Sequence, residues 1–210
     1  MTHTRILTTQ DPEAISNAFE IIKSGGTIAF PTDTVYGLAV DPFNPQAINR
    51  IYAIKERSME KAIPILIGDF QQLESLVSEI NESAKILAQN FWPGPLTLIL
   101  PKIPVLPGEL SPYPTIGIRM PNHEFAINLL RQTGPLATTS ANISGDANPR
   151  TGLDVLSQLG GRIDLLLDGG ETPGAIPSTV VDISSKPIRL LREGPISRSD
   201  LSVLLGEDVL

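Results

Sequence analysis

The sequence predicts an α/β fold with a mixed sheet, because short apolar runs typical of buried strands alternate with amphipathic segments at helical spacing. Hydrophobic residues make up 41% of the 210 residues and charged residues 19%, which is sufficient for a sizeable core. The sequence contains no internal repeat, low-complexity tract or linker-like shift in composition. We therefore expect a single domain that includes residues 1–210.

The first two thirds of the chain contain most of the predicted elements. Asp11 and Pro12 are typical of a helix start, and apolar residues recur at helical spacing from there to the glycine pair at 25–26. Asn44 and Pro45 begin a second predicted helix, which ends near residue 57. Further helices are predicted at 70–77, 82–91 and 122–132, and strands at 27–30, 62–67, 96–100, 116–120 and 136–140.

The final third repeats the alternation of helix and strand. Thr151 with Asp154, and Ser197 with Asp200, have the spacing of a capping box, so a helix is predicted to follow each pair. Strands are predicted at 163–168, 179–184 and 188–192.

The composition excludes several kinds of site. Without cysteine, the chain has no disulfide, thiolate nucleophile or Cys-ligated zinc. His3 and His123 are the two histidines, and we expect His123 to lie at a helix start, so a Ser-His-Asp triad or a His-rich metal site is not expected. No Walker sequence or dinucleotide fingerprint occurs.

The net charge and the distribution of apolar residues indicate the cellular location of the protein and the kinds of ligand it can bind. No apolar run approaches the ~20 residues that cross a bilayer, and the start lacks the apolar stretch of a signal peptide. We expect a soluble, cytoplasmic protein that does not bind membranes. The formal net charge of −7 disfavours broad binding to a nucleic-acid backbone, although a few clustered cations could still form a local anion pocket.

Two segments rich in hydroxyl and amide groups follow predicted strands, namely "PTDTVYGL" at 31–38 and "TTSANISG" at 138–145. Loops at strand ends are where open α/β sheets form ligand sites, and such groups can hold phosphate or carboxylate oxygens. The same residue types also form turns whose side chains bond their own backbone. The residues alone leave both interpretations open.

Five cations suggest what a ligand would be. Lys55, Arg57 and Lys61 lie close together where a predicted helix ends, which indicates either a solvated helix end or an anion site. Arg119 and Arg192 each end an apolar strand and need a partner, which could be a ligand or an ordinary aspartate. Hydroxyls, amides and cations act by positioning and charge stabilisation. The residues thus predict binding of an anionic small molecule, of which a nucleotide is one example.

A series of segments extends over nearly the whole chain, from about residue 14 to 200. They are "GGTIAFPTDTVYGLAVDP", "IYAIKERSMEKAIPILIGD", "FWPGPLTLIL", "IGIRMP", "ATTSANISG", "GGRIDLLLDGG", "PSTVVDI" and "LLREG". In this order they resemble the YrdC-like family of threonylcarbamoyl-AMP synthases. The paired K-x-R and S-x-N signature of that family is found here as Lys55 with Arg57 and Ser140 with Asn142.

The resemblance implies a twisted mixed sheet flanked by helices around a deep cationic cavity. It implies synthesis of threonylcarbamoyl-adenylate from L-threonine, bicarbonate or CO₂, and ATP, with release of pyrophosphate. Mg²⁺ is expected to accompany ATP and to bridge phosphate oxygens, and Asp33 is expected to contact it through water. Downstream tRNA threonylcarbamoyl-transfer enzymes are the implied partners. The additional C-terminal domain of longer members is expected to be absent.

The resemblance also assigns roles to individual residues, with no residue holding a resident metal. The residues expected to bind L-threonine are Thr34, Arg119, Thr138 and Ser178. Those expected to bind ATP are Arg57, Lys61, Thr115, Ser140, Asn142, Asn148 and Arg192. Lys55 and Arg57 are the expected catalytic residues, and Lys55 is expected to add positive charge near the phosphates. The three cations near the helix end would then neutralise the triphosphate and the departing pyrophosphate.

Four positions depart from the pattern of the family. Ser58 and Ala62 stand where many relatives have proline, which is expected to loosen this loop. Leu66 stands where longer members often have a histidine in the threonine pocket, and Asn148 where serine is common.

Two other functions fit parts of the same pattern. One is an RNA-binding accessory protein of tRNA or ribosome maturation, which the negative net charge disfavours. The other is a YrdC-like paralogue that binds nucleotide but uses a different acceptor. The presence of both the K-x-R and the S-x-N residues favours the synthase.

Overall fold

The computed structural model describes residues 3–174 and 176–210 of the chain, in which helices pack on both faces of a mixed sheet. Met1, Thr2 and Ala175, which the predicted single domain includes, lie outside the described residues. Within these two ranges, no helix has the length and apolar character that crossing a membrane requires.

The described residues form helices and strands in alternation. The helices are α1 (Ala14–Lys23), α2 (Pro45–Lys55), α3 (Glu82–Phe91), α4 (Glu124–Thr133), α5 (Gly152–Leu159) and α6 (Arg198–Leu205). The strands are β1 (Arg5–Thr8), β2 (Ile28–Phe30), β3 (Gly37–Val40), β4 (Ile65–Leu66), β5 (Leu96–Pro101), β6 (Thr115–Arg119), β7 (Leu136–Ser140), β8 (Leu165–Asp168), β9 (Thr179–Asp182) and β10 (Arg189–Arg192).

The strands join side by side in the order β1-β8-β2-β3-β7-β4-β6-β5-β9-β10. Some neighbours are parallel, as β1 with β8 and β5 with β9, and others are antiparallel, as β3 with β7 and β5 with β6. The predicted α/β fold with a twisted mixed sheet and flanking helices is confirmed.

Alternation along the strands divides the core into two layers. Leu165 and Leu167 of β8 pack with the buried faces of α1 and α4, whereas Leu166 between them belongs to the cluster that contains α2, α3 and α5. Successive side chains of a strand point to opposite faces of the sheet, so a continuous apolar run supplies both layers. This arrangement explains why the strands read as unbroken hydrophobic segments.

Most of the predicted helix starts are confirmed. Asn44 accepts a hydrogen bond from the Ala47 N–H at 3.0 Å, and both predicted capping boxes are present before α5 and α6. His123 lies at the start of α4, as expected, and caps it, although the helix begins at Glu124 and not at residue 122.

Two details of the predicted helices were wrong. Helix α1 begins at Ala14, because Asp11 instead accepts a hydrogen bond from the Glu13 N–H at 2.8 Å in a turn before it. The segment Phe70–Ser75 is a 3₁₀ helix, capped by Asp69 as predicted.

Two strands were missed. Strand β1 is a mostly exposed edge strand that pairs with β8, so it lacks the apolar run of a central strand. Strand β3 follows the hydroxyl-rich segment and pairs with both β2 and β7. The loop predicted at 31–38 is therefore a tight connection between two buried strands.

Candidate active site

A cavity of about 410 Å³ opens where several strand ends meet. Of the twelve site residues predicted from the sequence, eight line it: Thr34, Arg57, Arg119, Thr138, Ser140, Asn148, Ser178 and Arg192. They come from the β2–β3 connection, the end of α2, strands β6, β7 and β10, and the loops beside β7 and β9. The structure thus brings together groups that are far apart in the sequence, while the ligand assigned to each remains a prediction.

Arg119, at the end of β6, is a buried cation held from three directions. Its Nη2 lies 2.6 Å from Asp33 Oδ1, and its Nη1 donates to Thr34 Oγ1 at 3.3 Å. Its Nε donates to the carbonyl of Gly94 at 3.1 Å. An aspartate therefore supplies the partner that a strand-end arginine needs, and the guanidinium is fixed at the cavity wall.

Arg192 and Ser178 form a second polar group on the lining. Arg192 Nε donates to the Ser178 carbonyl at 2.9 Å, and Nη2 lies 3.2 Å from Ser178 Oγ. The Ser178 hydroxyl is 2.8 Å from Thr97 Oγ1. Desolvation of the guanidinium lowers the pKa of Arg192, and the positive charge of Arg119 acts in the same direction. Two arginines thus face the same space, where an anion would relieve their repulsion.

The hydroxyl-rich β2–β3 connection fits both interpretations that the sequence left open. Thr32 Oγ1 donates to the Val35 carbonyl at 2.7 Å and lies 3.1 Å from Thr34 Oγ1, so the turn does bond its own backbone. The same bonds hold Thr34 against Arg119 at the cavity.

Lys55 lies beneath the cavity lining instead of in it. Its ammonium group donates to the carbonyls of Ser140 and Asn142, the latter at 2.6 Å, and is 3.3 Å from Asn142 Oδ1. Burial, together with the charge of Arg57, lowers the pKa of Lys55 to about 7. The ammonium is buried against the backbone and joins the K-x-R and S-x-N segments, and its expected role near the phosphates stays a prediction.

Three further predicted residues lie outside the lining. Asn142 is buried, and its amide nitrogen donates to the carbonyls of Ile143 and Asp146, which shapes the loop after β7. Lys61 is exposed, and its carbonyl accepts from Arg57 Nε at 3.4 Å. Thr115 lies on the same face of β6 as Gly117 and Arg119, which do line the cavity.

Sequence reasoning missed several residues of the lining. Thr97 lines the cavity from β5, and Thr32 and Thr139 line it beside residues that were predicted. A hydroxyl within the otherwise apolar "LTLIL" was the available signal for Thr97. Leu66, where longer relatives often have a histidine, also lines the cavity.

Gly194 provides a test of how tightly the Ser178 segment is held. A Cβ at residue 194 would lie 2.4 Å from the Pro177 carbonyl oxygen and 2.6 Å from the Thr179 nitrogen. Gly194→Ala is expected to lower the free energy of unfolding by about 1 to 3 kcal/mol, measured by urea denaturation, because backbone must move. Gly108→Ala is the control, since no atom lies within 4 Å of its added Cβ. Equal stability of the two variants would contradict this packing.

The chain was compared with protein families and solved structures. The family model Sua5_yciO_yrdC, described as "Telomere recombination", matches residues 20–194. A relative from Pyrococcus abyssi, named threonylcarbamoyl-AMP synthase, is 42% identical over 188 residues, or 89% of this chain. A relative of the same name from Bacillus subtilis is 40% identical over 206 residues, or 95% of this chain.

A solved structure shows the same fold. The crystal structure of P. abyssi Sua5 complexed with L-threonine superimposes on the whole of this chain, with a TM-score of 0.91 and 38% identity. The match includes 62% of that protein, and the sequence matches include 55% and 58% of the Pyrococcus and Bacillus relatives. The chain thus spans little more than half the length of these relatives.

Proposed function

Since the chain belongs to the Sua5/YciO/YrdC family, we propose that it is a threonylcarbamoyl-AMP synthase, an enzyme of the nucleotidyltransferase class. It would convert L-threonine, bicarbonate or CO₂, and ATP into threonylcarbamoyl-adenylate and pyrophosphate. The observation that carries the proposal is the convergence of Arg57, Arg119 and Arg192 with strand-end hydroxyls on one cavity. A place in the cytoplasm, and delivery of the product to tRNA threonylcarbamoyl-transfer enzymes, belong to the same proposal.

The cavity has groups suited to both proposed substrates. Arg119, Thr34, Thr138 and Ser178 offer a guanidinium for a carboxylate and hydroxyls for the threonine side chain. Arg57, Ser140, Asn148 and Arg192 offer cations and polar groups for phosphates and the nucleoside. Three residues proposed to contact ATP lie next to this lining and not in it, namely Lys61, Thr115 and Asn142. Each would contact ATP by a change of its side-chain conformation or by extending from the edge of the cavity.

The proposed reaction depends on the positioning of its substrates and requires no nucleophile from the protein. The amine of threonine captures CO₂ to give a carbamate, whose oxygen attacks the α-phosphorus of ATP and expels pyrophosphate. Arginines placed at the phosphates stabilise the charge that develops during this displacement. Lys55 contributes by fixing the backbone of Ser140 and Asn142.

Mg²⁺ enters the proposal as part of the ATP substrate. Within the described residues, no group of three or more His, Asp or Glu side chains is placed to hold a metal ion. Asp33, the residue expected to reach the ion through water, is paired with Arg119. Mg²⁺ prefers oxygen ligands, and in this proposal the oxygens of the triphosphate would supply them.

Pyrophosphate release tests the proposed function. The protein is incubated with ATP and Mg²⁺, with and without L-threonine and with and without bicarbonate. Release is expected when both are present, because the carbamate that attacks ATP needs both.

Two results would contradict the proposed synthase activity, and each would indicate one of the two alternative functions. Release that does not depend on threonine would indicate a paralogue with another acceptor. No turnover, together with RNA binding that weakens with salt, would indicate the RNA-binding accessory protein.

A further inference from the structure

Two hydroxyl groups face each other on the cavity lining, one from Thr97 in β5 and one from Ser178 directly before β9. Their oxygens lie 2.8 Å apart, and both residues are buried, with exposed fractions of 6% for Thr97 and 5% for Ser178. Along β5, Thr97 and Ile99 line the cavity, whereas Leu96 and Leu98 belong to the core. Alternation along the strand thus directs the hydroxyl of this otherwise apolar segment to the cavity.

The packing of Thr97 holds its hydroxyl toward Ser178. Strand β5 lies between β6 and β9 in the sheet. On the β6 side, Gly117 leaves space for the Thr97 methyl group, since a Cβ at residue 117 would lie 3.1 Å from that methyl carbon. On the β9 side, the Thr97 hydroxyl meets Ser178. Because a β-branched side chain has few rotamers, this arrangement fixes the direction of the hydroxyl oxygen.

Among the described residues, the Thr97–Ser178 pair leaves one O–H without an acceptor. Each hydroxyl has one proton, and the contact between the two oxygens uses one of them. Arg192 Nη2, which lies 3.2 Å from Ser178 Oγ, is only a donor, so it takes neither proton. In residues 3–174 and 176–210, no other acceptor is hydrogen-bonded to either hydroxyl. The second proton is therefore available to an acceptor atom of a ligand in the cavity.

Strand pairing places Thr97 beside Arg119. Leu98 of β5 lies opposite Ile118 of β6 in an antiparallel pair, so Thr97 and Arg119 are the next neighbours along the two strands, and both line the cavity. Arg119 uses three of its five N–H donors in bonds to the protein, which leaves two for a carboxylate. An α-amino acid whose carboxylate binds Arg119 therefore has oxygen atoms close to the Thr97–Ser178 pair.

We propose that Thr97 is a positioning residue for the amino-acid substrate: it holds the Ser178 hydroxyl so that the pair donates one hydrogen bond to an oxygen atom of that substrate. This inference rests on the proposed function, since it adds a residue to the same amino-acid site. A valine at residue 97 has the shape of threonine without the hydroxyl, so it removes the contact with Ser178 while the packing against Gly117 stays.

The test is a double-mutant cycle that compares the Kd of L-threonine, measured by calorimetric titration at pH 7.5. Thr97→Val is expected to raise this Kd by about threefold to tenfold, the usual effect of losing one neutral hydrogen bond. In a Ser178→Ala background the same substitution is expected to change the Kd by less than about twofold, because the hydroxyl that Thr97 holds is gone. Thr97→Ser keeps a hydroxyl and should restore most of the affinity. The Kd of ATP should be the same in Thr97→Val and the wild type.

Controls separate this inference from the proposed function. Thr4→Val removes a buried hydroxyl outside the cavity lining that donates to the Ile163 carbonyl at 2.8 Å, and its Kd for L-threonine should equal that of the wild type. Thr97→Ala carries the same expectation as Thr97→Val if the valine variant does not fold. An unchanged Kd for L-threonine, or an equal increase in both backgrounds, overturns the role of Thr97 alone. Failure of the wild type to bind L-threonine overturns the proposed function and, with it, this inference.

Discussion

Arg57→Ala is expected to slow threonine-dependent pyrophosphate release by about 10²- to 10³-fold, the usual cost of losing one preorganised group that stabilises transition-state charge. Arg57 lines the cavity just beyond the end of α2, where desolvation of its guanidinium lowers its pKa. Its Nη2 donates to the Ala62 carbonyl at 3.0 Å, which holds the side chain in place. Steady-state assays with varied ATP should show the loss.

The control for this variant is an exposed arginine that lies outside the cavity lining. Arg189→Ala removes an exposed cation at the opposite end of β10 from Arg192, outside the cavity lining. We expect its activity to match that of the wild type. A rate for Arg57→Ala equal to that of Arg189→Ala would contradict a role for Arg57 in the reaction.

Lys55→Met is expected to lower the free energy of unfolding by about 3 kcal/mol at pH 9, because buried acceptors left without a donor cost about 1 to 3 kcal/mol each. The variant keeps an unbranched side chain but removes the donor to the carbonyls of Ser140 and Asn142. Urea denaturation measures the loss. Lys85→Met, which removes an exposed lysine of α3, is the matched control and should have little effect.

The cost of Lys55→Met should also depend on pH. Burial lowers the pKa of Lys55 from 10.5 to about 7, whereas the unfolded lysine keeps its ordinary pKa. Between these two values the unfolded chain binds one more proton than the folded chain, so the stability of the wild type rises with pH. Methionine binds no proton, and the difference between wild type and variant should be larger at pH 9 than at pH 6. A difference that is equal or smaller at pH 9 would contradict the lowered pKa.

The sequence was most informative where local patterns determine structure. The capping pairs at Thr151 and Ser197, and the helix start at Asn44, depend on residues within one turn, and the structure contains all three. Strand β1 was missed because its formation depends on pairing with β8, more than 150 residues later in the chain. Strand β3 was missed because the polar residues that precede it resemble a loop. Its pairing with β2 and β7 becomes apparent only in the folded structure.

The same distinction applies to the site. Polar residue types at strand ends indicated where a ligand site could lie, since the strand ends of a sheet converge, and the resemblance to the family predicted which side chains would belong to it. Their partners were not predictable, because they depend on which distant loops become neighbours. Arg119 meets Asp33 across 86 residues, and Lys55 reaches the Asn142 carbonyl across 87. The buried position of Lys55 therefore emerged from the fold and not from its place in the K-x-R signature.

A crystal structure of the chain with L-threonine and a non-hydrolysable ATP analogue tests most directly whether one cavity holds both substrates. The account predicts that the threonine carboxylate contacts Arg119 and that the phosphates of the analogue lie between Arg57 and Arg192, within the same cavity. Threonine and nucleotide bound at separate surfaces, or a nucleotide that contacts neither Arg57 nor Arg192, would contradict it.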